Sequence, residues 1–144
     1  MKTVFSIITP TYNRLGNLKK LYKHLLNQKN KNLVEWVLVV EKNDLATLKF
    51  LKKIKNIKIK IVINKKGFQA AFKNGAKKAS GEYISFLGDD DKLAKNIFVT
   101  LSKNIKFFKP NWIIGYGCYI NKKGKKIRIR ITQIKNFLLN NYSR

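Results

Sequence analysis

The chain has 144 residues, a length that suits one domain, and 32 Lys and Arg against 7 Asp and Glu give a formal net charge of +25. Apolar residues make up 44% of the sequence, which is enough for a hydrophobic core and excludes disorder driven by charge. The single cysteine, Cys118, excludes an internal disulfide and a zinc cluster. No apolar run approaches the roughly 18 residues of a membrane-spanning helix, and the run at 4–8 is too short for a secretory signal. We therefore expect a cytoplasmic chain.

Apolar runs and helical stripes alternate along the chain. Runs rich in β-branched residues predict strands at 4–9, with the first ending at Pro10, and at 34–40, 57–63 and 83–87. Apolar residues at helical spacing predict helices at 18–26, 45–54 and 93–108, and a further helix is predicted at 67–79, ended by Ser80 and Gly81. Asn121 to Gly124 predicts a hairpin turn between strands at 112–120 and 127–132, and a last short helix is predicted at 134–141.

The order of these elements predicts the fold class. Four strands that alternate with four helices are typical of a three-layer α/β/α sandwich around a mainly parallel sheet, which ends here after a β-hairpin. No linker, repeat or low-complexity stretch divides the chain, so we expect one domain over residues 1–144.

Two explanations of the charge of +25 compete. A strongly basic domain often binds nucleic acid or an anionic membrane. Alternatively, Lys, Asn and Ile, which share AT-rich codons, make up 61 of the 144 residues, and the basic residues are spread through every segment. We favour compositional drift, which still leaves the charge free to act on a nearby anion.

The scarce acids are more informative than the abundant bases. None of the seven lies in residues 1–34 or 92–144, yet Asp89, Asp90 and Asp91 are consecutive. They follow the fourth strand, while Glu41 follows the second and Tyr12 the first, so polar side chains occur at three strand ends where open α/β sheets bind ligands. Tyr12 is the aromatic residue we expect to be functional, with a packed loop residue as the alternative.

Three adjacent carboxylates repel each other, and a divalent cation would relieve the repulsion. Carboxylate oxygens suit Mg²⁺ or Mn²⁺, and such a cation would also bind phosphate oxygens, so a nucleoside diphosphate is the expected companion. The structural alternative is that Asp91 caps a helix that begins near Lys92, which explains one of the three acids.

Several segments resemble glycosyltransferase family 2, whose members have the GT-A fold. SIITPTYNRLGNLKKLYKHLLNQ, at residues 6–28, resembles the opening of that family, and VEWVLVVEKNDLATLKFLKK resembles its second strand and helix. GFQAAFKNGAKKASGEYISFLGDDD, at residues 67–91, resembles the stretch that leads to the acidic metal-binding motif. WIIGYGCYINKKGKK resembles the strand and hairpin that follow, so the resemblance extends over nearly the whole chain.

This resemblance implies roles for individual residues. Pro10 and Tyr12 would pack against the nucleotide base, and Glu41 would form a hydrogen bond with it. Asp89 would face the ribose and the metal, Asp90 would bind the metal and Asp91 would support it. The resemblance therefore implies a Mg²⁺- or Mn²⁺-dependent, inverting transferase that takes a nucleotide sugar, with a UDP-sugar as the expected donor.

The sequence also departs from the family pattern. Val40, Glu41, Lys42 and Asn43 replace the usual Asp-Asp-Gly-Ser type sequence, and Gly88 stands where the acidic motif often begins with Asp. Polar residues usual in the third helix are replaced around Gln69, Ala70 and Lys73. No catalytic residue is assigned: there is no candidate general base after Asp91, and His24 is in the wrong place for that role.

We therefore expect the nucleotide-binding portion of a glycosyltransferase, without the acceptor-binding half that carries the base. Its expected partners are a nucleotide sugar and a glycan or lipid-linked acceptor, with peripheral contact to the inner face of an anionic cell membrane. The alternative is a non-catalytic basic module that binds nucleic acid or anionic membrane. A nucleic-acid partner is not expected, because no known nucleic-acid-binding motif is present.

Overall fold

The computed structural model describes residues 4–64, 67–111, 113, 118–120 and 126–128. Two compact units divide the chain, Met1–Lys109 and Pro110–Arg144. In the first unit the strands are β1 Phe5–Thr11, β2 Val34–Glu41, β3 Lys58–Asn64 and β4 Tyr83–Phe86. Its helices are α1 Leu15–Leu26, α2 Leu45–Leu51, α3 Phe68–Lys78 and α4 Ile97–Phe108, with a 3₁₀ turn at Lys31–Leu33.

The four strands form one parallel sheet in the order β3-β2-β1-β4. Phe5 pairs with Val34 of β2 on one side and with Tyr83 of β4 on the other, so all the strands begin at one edge of the sheet. The two central strands are buried over most of their length because helices cover both faces, as expected for parallel strands.

Two hydrophobic clusters show the three layers. On one face, Leu18, Leu21 and Leu25 of α1 pack with Trp36 of β2 and with residues of α2 and α4. On the other face, Ile8, Val37 and Val39 pack against Ala71 of α3. The predicted α/β/α sandwich with a parallel sheet is therefore confirmed, with Trp36 fully buried in its core.

The first strand is longer than predicted, because it continues through Pro10 to Thr11. The backbone carbonyl of Ile8 accepts from Leu87, so the backbone groups of residues 8 and 10 face the β4 side. The β4 ladder ends at the pair Ile8 and Phe86, so the missing N–H of Pro10 removes no ladder hydrogen bond. Proline is therefore tolerated at the carboxyl end of a central strand.

The fourth helix begins later than predicted. It starts at Ile97 and not at 93, and Asn96 with φ of 58° occupies the position before it. Leu93 still packs against the main core cluster, which explains why its spacing looked helical. The alternative in which Asp91 caps this helix is wrong, because five residues separate Asp91 from the first helical residue.

In the second unit, β5 Cys118–Ile120 and β6 Lys126–Arg128 form an antiparallel pair, in which Ile120 pairs with Lys126. This antiparallel pairing agrees with the predicted hairpin over the residues that the structure describes. Positions 112, 114–117 and 129–132 of the predicted strands, the turn at 121–124 and the helix predicted at 134–141 lie outside the described residues. Among the helices that the structure describes, none is long and apolar enough to cross a membrane.

Candidate functional site

A cavity of about 280 Å³ opens at the carboxyl end of the sheet, where β1 and β2 end beside the start of α3. Pro10, Tyr12, Glu41 and Asp89, the four residues predicted to bind the nucleotide sugar, all line it. The strand order explains this, because β1 lies between β2 and β4 and brings the polar ends of the three strands together. The other lining residues are Thr11, Arg14, Val39, Asn64, Gly67 and Ala71.

Tyr12 lies at the mouth of this cavity. Its side chain is 48% exposed, so the ring is available to a planar ligand and is not a packed loop residue. Glu41, the last residue of β2, is half-buried. An aromatic ring and a carboxylate at one opening provide a stacking surface and a hydrogen-bond acceptor.

The loop after β1 is held in place by Asp44. One carboxylate oxygen of Asp44 accepts a 2.8 Å hydrogen bond from the backbone N–H of Asn13. The other oxygen accepts from the N–H of Thr47 at 3.1 Å and caps α2. Asn13 has a positive φ of 52°, a conformation that asparagine tolerates. Asp44 therefore fixes the backbone between Tyr12 and Arg14.

Asp89 is the buried member of the acidic run. Oδ2 of Asp89 accepts a 2.7 Å hydrogen bond from the hydroxyl of Thr11, the last residue of β1. Oδ1 is buried and has no hydrogen bond in the described structure, although Nη1 of Arg14 lies 3.1 Å from it. A buried carboxylate oxygen with only an ion-pair neighbour retains acceptor capacity for a ligand.

Asp90 and Asp91 are both exposed, but their side chains have different partners. Nη2 of Arg14 donates to Oδ2 of Asp90 at 2.6 Å, and this hydrogen bond lowers the pKa of Asp90 and raises that of Arg14. Oδ2 of Asp91 accepts from the backbone N–H of Gly88 at 2.7 Å and closes the turn. A Cβ at position 88 would lie 3.0 Å from carboxylate oxygens of both Asp90 and Asp91, so glycine leaves room for this turn.

A second cavity, of about 350 Å³, adjoins the acidic run. Asp89, Asp90 and Asp91, the three residues predicted to hold or support a metal, all line it. Phe72 of α3 and Phe86 of β4 form its aromatic wall, with ring centroids 4.6 Å apart in an edge-to-face arrangement. Pro10, Arg14 and Asp89 line both cavities, so the two are neighbours.

The acidic run supplies few ligands for a cation. Within the part of the chain that the structure describes, no three His, Cys, Asp or Glu side chains are placed to hold one metal ion. Asp89 has an oxygen without a hydrogen bond and Asp90 is exposed, whereas Asp91 is engaged with Gly88. This donor set fits a hard cation that takes two protein carboxylates and completes its coordination with oxygens of a bound ligand.

The start of α3 forms the opposite wall of the first cavity. Gly67 precedes the helix with φ of 98°, which favours glycine. The side-chain amide of Asn64 donates to the carbonyl of Gly67 at 3.3 Å, and Asn74 donates to the side-chain oxygen of Asn64 at 2.9 Å. These contacts fix the entry into α3, whose first backbone N–H groups favour an anion.

Comparison with known protein families shows which family the chain belongs to. The sequence profile described as Glycosyl transferase family 2 matches residues 6–141, which is nearly the whole chain. The chain belongs to glycosyltransferase family 2. The resemblance read from its sequence is therefore confirmed.

Curated relatives support this membership. An uncharacterised glycosyltransferase of Rickettsia conorii is 34% identical over 132 residues, which cover 87% of this chain and 21% of the relative. The GalNAc(5)-diNAcBac-PP-undecaprenol beta-1,3-glucosyltransferase of Campylobacter jejuni is 35% identical over 128 residues, which cover 83% of this chain and 39% of the relative. The chain thus spans well under half of the length of either family member.

Solved structures share the fold. The crystal structure of S. aureus TarS 1-349 in complex with UDP-GlcNAc is 27% identical to this chain and superposes with a TM-score of 0.65. The match covers 74% of this chain and 31% of the TarS chain. The GT-A-like architecture predicted for this family 2 chain is therefore confirmed.

Three residues that shape the first cavity and its surroundings were given no individual role from the sequence, although Thr11 and Asp44 belong to polar clusters at strand ends. Thr11 and Asp44 fix Asp89 and the loop after β1, and Arg14 contacts two of the acids. Arg14 is one of 32 basic residues and its partners are more than 70 positions away, so only its place just after a strand end pointed to it. His24 lies on α1 and is not among the residues that line either cavity.

Proposed function

We propose that this chain is the donor-binding portion of a glycosyltransferase that transfers a sugar from a nucleotide sugar, with a UDP-sugar as the donor. The observation that carries the proposal is the cavity that Pro10, Tyr12, Glu41 and Asp89 line at the carboxyl end of the sheet. The membership in family 2 and the fold shared with TarS, which was solved with UDP-GlcNAc, support it.

Each side chain has a task in donor binding that suits its chemistry. The exposed ring of Tyr12 stacks on the base, and Glu41 accepts a hydrogen bond from a base N–H. Asp89, held by Thr11, accepts from ribose hydroxyls. Gly67 and Ala71 at the start of α3 line the same cavity, and the positive end of a helix favours an anion such as the diphosphate.

Asp89 and Asp90 are the two carboxylates proposed to hold Mg²⁺ or Mn²⁺, with Asp91 supporting the turn through Gly88. When bound, such a cation supplies positive charge that stabilises the diphosphate as a leaving group. In the complete reaction an acceptor hydroxyl attacks the anomeric carbon opposite the departing diphosphate, which inverts the configuration. The hydroxyl proton needs a base, and residues 92–144 contain no Asp or Glu to accept it.

The acceptor is proposed to be a glycan or a lipid-linked glycan. The Campylobacter jejuni relative is named for an undecaprenol-linked substrate, and this motivates a lipid-linked acceptor here. A net charge of +25 would hold the chain against the anionic face of a membrane that carries such an acceptor. The acceptor and the membrane contact are separate from donor binding and are tested separately.

Calorimetric titration with UDP in the presence of Mn²⁺ tests donor binding. We expect binding by the wild-type chain, and we expect Asp90→Ala to weaken it at least about tenfold because one of two carboxylates for the cation is lost. Glu82→Ala is the matched control, because it removes an exposed carboxylate just before β4, at the opposite end of that strand. No binding by the wild-type chain, or equal losses in the two variants, would contradict the proposal.

A further inference from the structure

Arg14 already places a positive charge on the proposed cation site. Its Nη1 lies 3.1 Å from Oδ1 of Asp89, and its Nη2 lies 2.6 Å from Oδ2 of Asp90. One guanidinium therefore contacts both carboxylates that would hold a divalent cation. Because adjacent carboxylates repel each other, this contact supplies the charge compensation that the cation would otherwise provide.

The position of the guanidinium is set by the start of α1. The backbone carbonyl of Arg14 accepts from Asn17 and Leu18, which fixes the residue immediately before the helix. When the side-chain amide of Asn17 is oriented with its oxygen toward Arg14, it accepts from Nη2 at 3.0 Å and from Nε at 3.2 Å. The side chain is thus directed toward the acidic run from a rigid element.

Arg14 also borders the space proposed for the diphosphate. It lines both cavities, and its side chain is 49% exposed although Asp89 is 2% exposed. A guanidinium binds a phosphate through two parallel hydrogen bonds as readily as it binds a carboxylate. The same group therefore has two kinds of anionic partner within this site.

We propose that Arg14 is an exchangeable counter-cation, which pairs with Asp89 and Asp90 until a divalent cation binds and then pairs with the diphosphate of the nucleotide sugar. The inference rests on the proposed function, because it assigns a further residue to the same donor site. Arg14 then has opposite effects on two ligands. It competes with the cation for the carboxylates, and it favours the nucleotide once the cation is bound.

Mn²⁺ alone and UDP with saturating Mn²⁺ are the two probes, each titrated into wild type, Arg14→Gln and Arg14→Lys. Free Mn²⁺ is measured by electron paramagnetic resonance and UDP binding by calorimetry. We expect Arg14→Gln to bind Mn²⁺ alone about tenfold more tightly, because a competing charge is gone, and to bind UDP about tenfold more weakly. Arg14→Lys, which keeps the charge, should bind each probe with an affinity between those of the wild-type chain and Arg14→Gln. Lys20→Gln removes an exposed charge from α1 away from both cavities and should change neither affinity.

The two opposite shifts separate this role from a structural one. If Arg14→Gln weakens both affinities together and also lowers the melting temperature, Arg14 is structural and the inference is overturned. An unchanged affinity for Mn²⁺ alone overturns it as well. Absence of UDP binding by the wild-type chain contradicts the proposed function, whereas competition at the carboxylates is judged by the Mn²⁺ titration, which needs no nucleotide.

Discussion

Glu35 is a fully buried carboxylate on β2, in a strand whose other buried residues are apolar. Ser6 and the backbone N–H of Ser80 each donate to its Oε1 at 2.8 Å, and the hydroxyl of Ser80 donates to Oε2 at 2.7 Å. The ammonium group of Lys60 lies 3.0 Å from Oε2. Glu35 thereby ties β1, β3 and the turn before β4 to the centre of the sheet.

These contacts make the stability of the protein depend on pH. Burial alone would raise the pKa of Glu35, but the hydrogen bonds from Ser80, Lys60 and Ser6 outweigh burial and lower the pKa from 4.5 to about 2. A carboxyl group with a lowered pKa in the folded state stabilises the fold above its unfolded pKa. This stabilisation is lost as the pH falls from about 4.5 to about 2.

We expect Glu35→Gln to destabilise the fold by about 3 kcal/mol at pH 7, and by less than half of that at pH 3. Urea unfolding of both proteins at the two pH values measures the difference. Glu82→Gln is the control, because Glu82 is exposed and its replacement should have a small effect at either pH. A difference for Glu35→Gln that is the same at pH 7 and pH 3 would contradict the assigned pKa.

At the scale of single residues, sequence patterns predicted which side chains line the first cavity but not the contacts among them. That Tyr12, Glu41 and Asp89 lie together was predictable, because each is at or just after the end of a strand and parallel strands end at one edge of the sheet. Glu35 was not predictable, since its partners Ser6 and Ser80 are 29 and 45 residues away and the strand around it is apolar. Interactions of this kind depend on register, which periodicity does not specify.

At the scale of elements, Gly75 determines how closely α3 approaches the sheet. A Cβ at position 75 would lie 2.5 Å from Cγ2 of Ile8 and 3.0 Å from Cγ2 of Val39. Ile8 and Val39 belong to the buried cluster between α3 and the sheet, so they have little space to move. The helix therefore packs directly on β1 and β2 through a position without a side chain, close to the wall of the first cavity.

We expect Gly75→Ala to destabilise the fold by about 1 to 2 kcal/mol, because the steric cost of the added methyl group exceeds the gain in helix propensity. Gly16→Ala, on α1, is the matched control. Nothing lies within 4 Å of a Cβ at that position, so this variant should be stabilised by a few tenths of a kcal/mol up to about 1. Urea unfolding measures both effects. Equal stabilisation by the two substitutions would show that α3 does not pack as closely as described.

The order and type of the elements were predictable, whereas their ends were not. Alternating apolar runs and helical stripes predicted each described strand and helix in sequence. The predicted end of β1 was too early because proline usually ends a strand. Pro10 is tolerated because the ladder between β1 and β4 ends at Ile8 and Phe86, before the proline. It began α4 too early because Leu93 is partly buried without being helical.

At the scale of the whole molecule, the acidic residues are confined to one stretch of the sequence, whereas the basic residues are not. The seven acids lie between Glu35 and Asp91, and five of them occupy a strand end, the proposed cation site or the cap of α2. The 32 basic residues are distributed along the whole chain, so the long-range field is positive even where the local site is acidic. Such a field attracts nucleotides, anionic lipids and nucleic acids alike.

We expect the chain to bind vesicles with about one-third anionic phospholipid at low salt, and to release them as the salt concentration rises, because each Lys or Arg near the surface contributes about 1 kcal/mol that salt screens. Sedimentation with vesicles at 50 and 500 mM NaCl measures this, and neutral phosphatidylcholine vesicles are the control. Binding that ignores salt or lipid charge would contradict an electrostatic contact. RNA added as a competitor tests the alternative that the chain binds nucleic acid. If RNA displaces the chain from the vesicles at concentrations far below those of the lipid, the basic residues serve nucleic-acid binding and the proposed membrane contact is wrong.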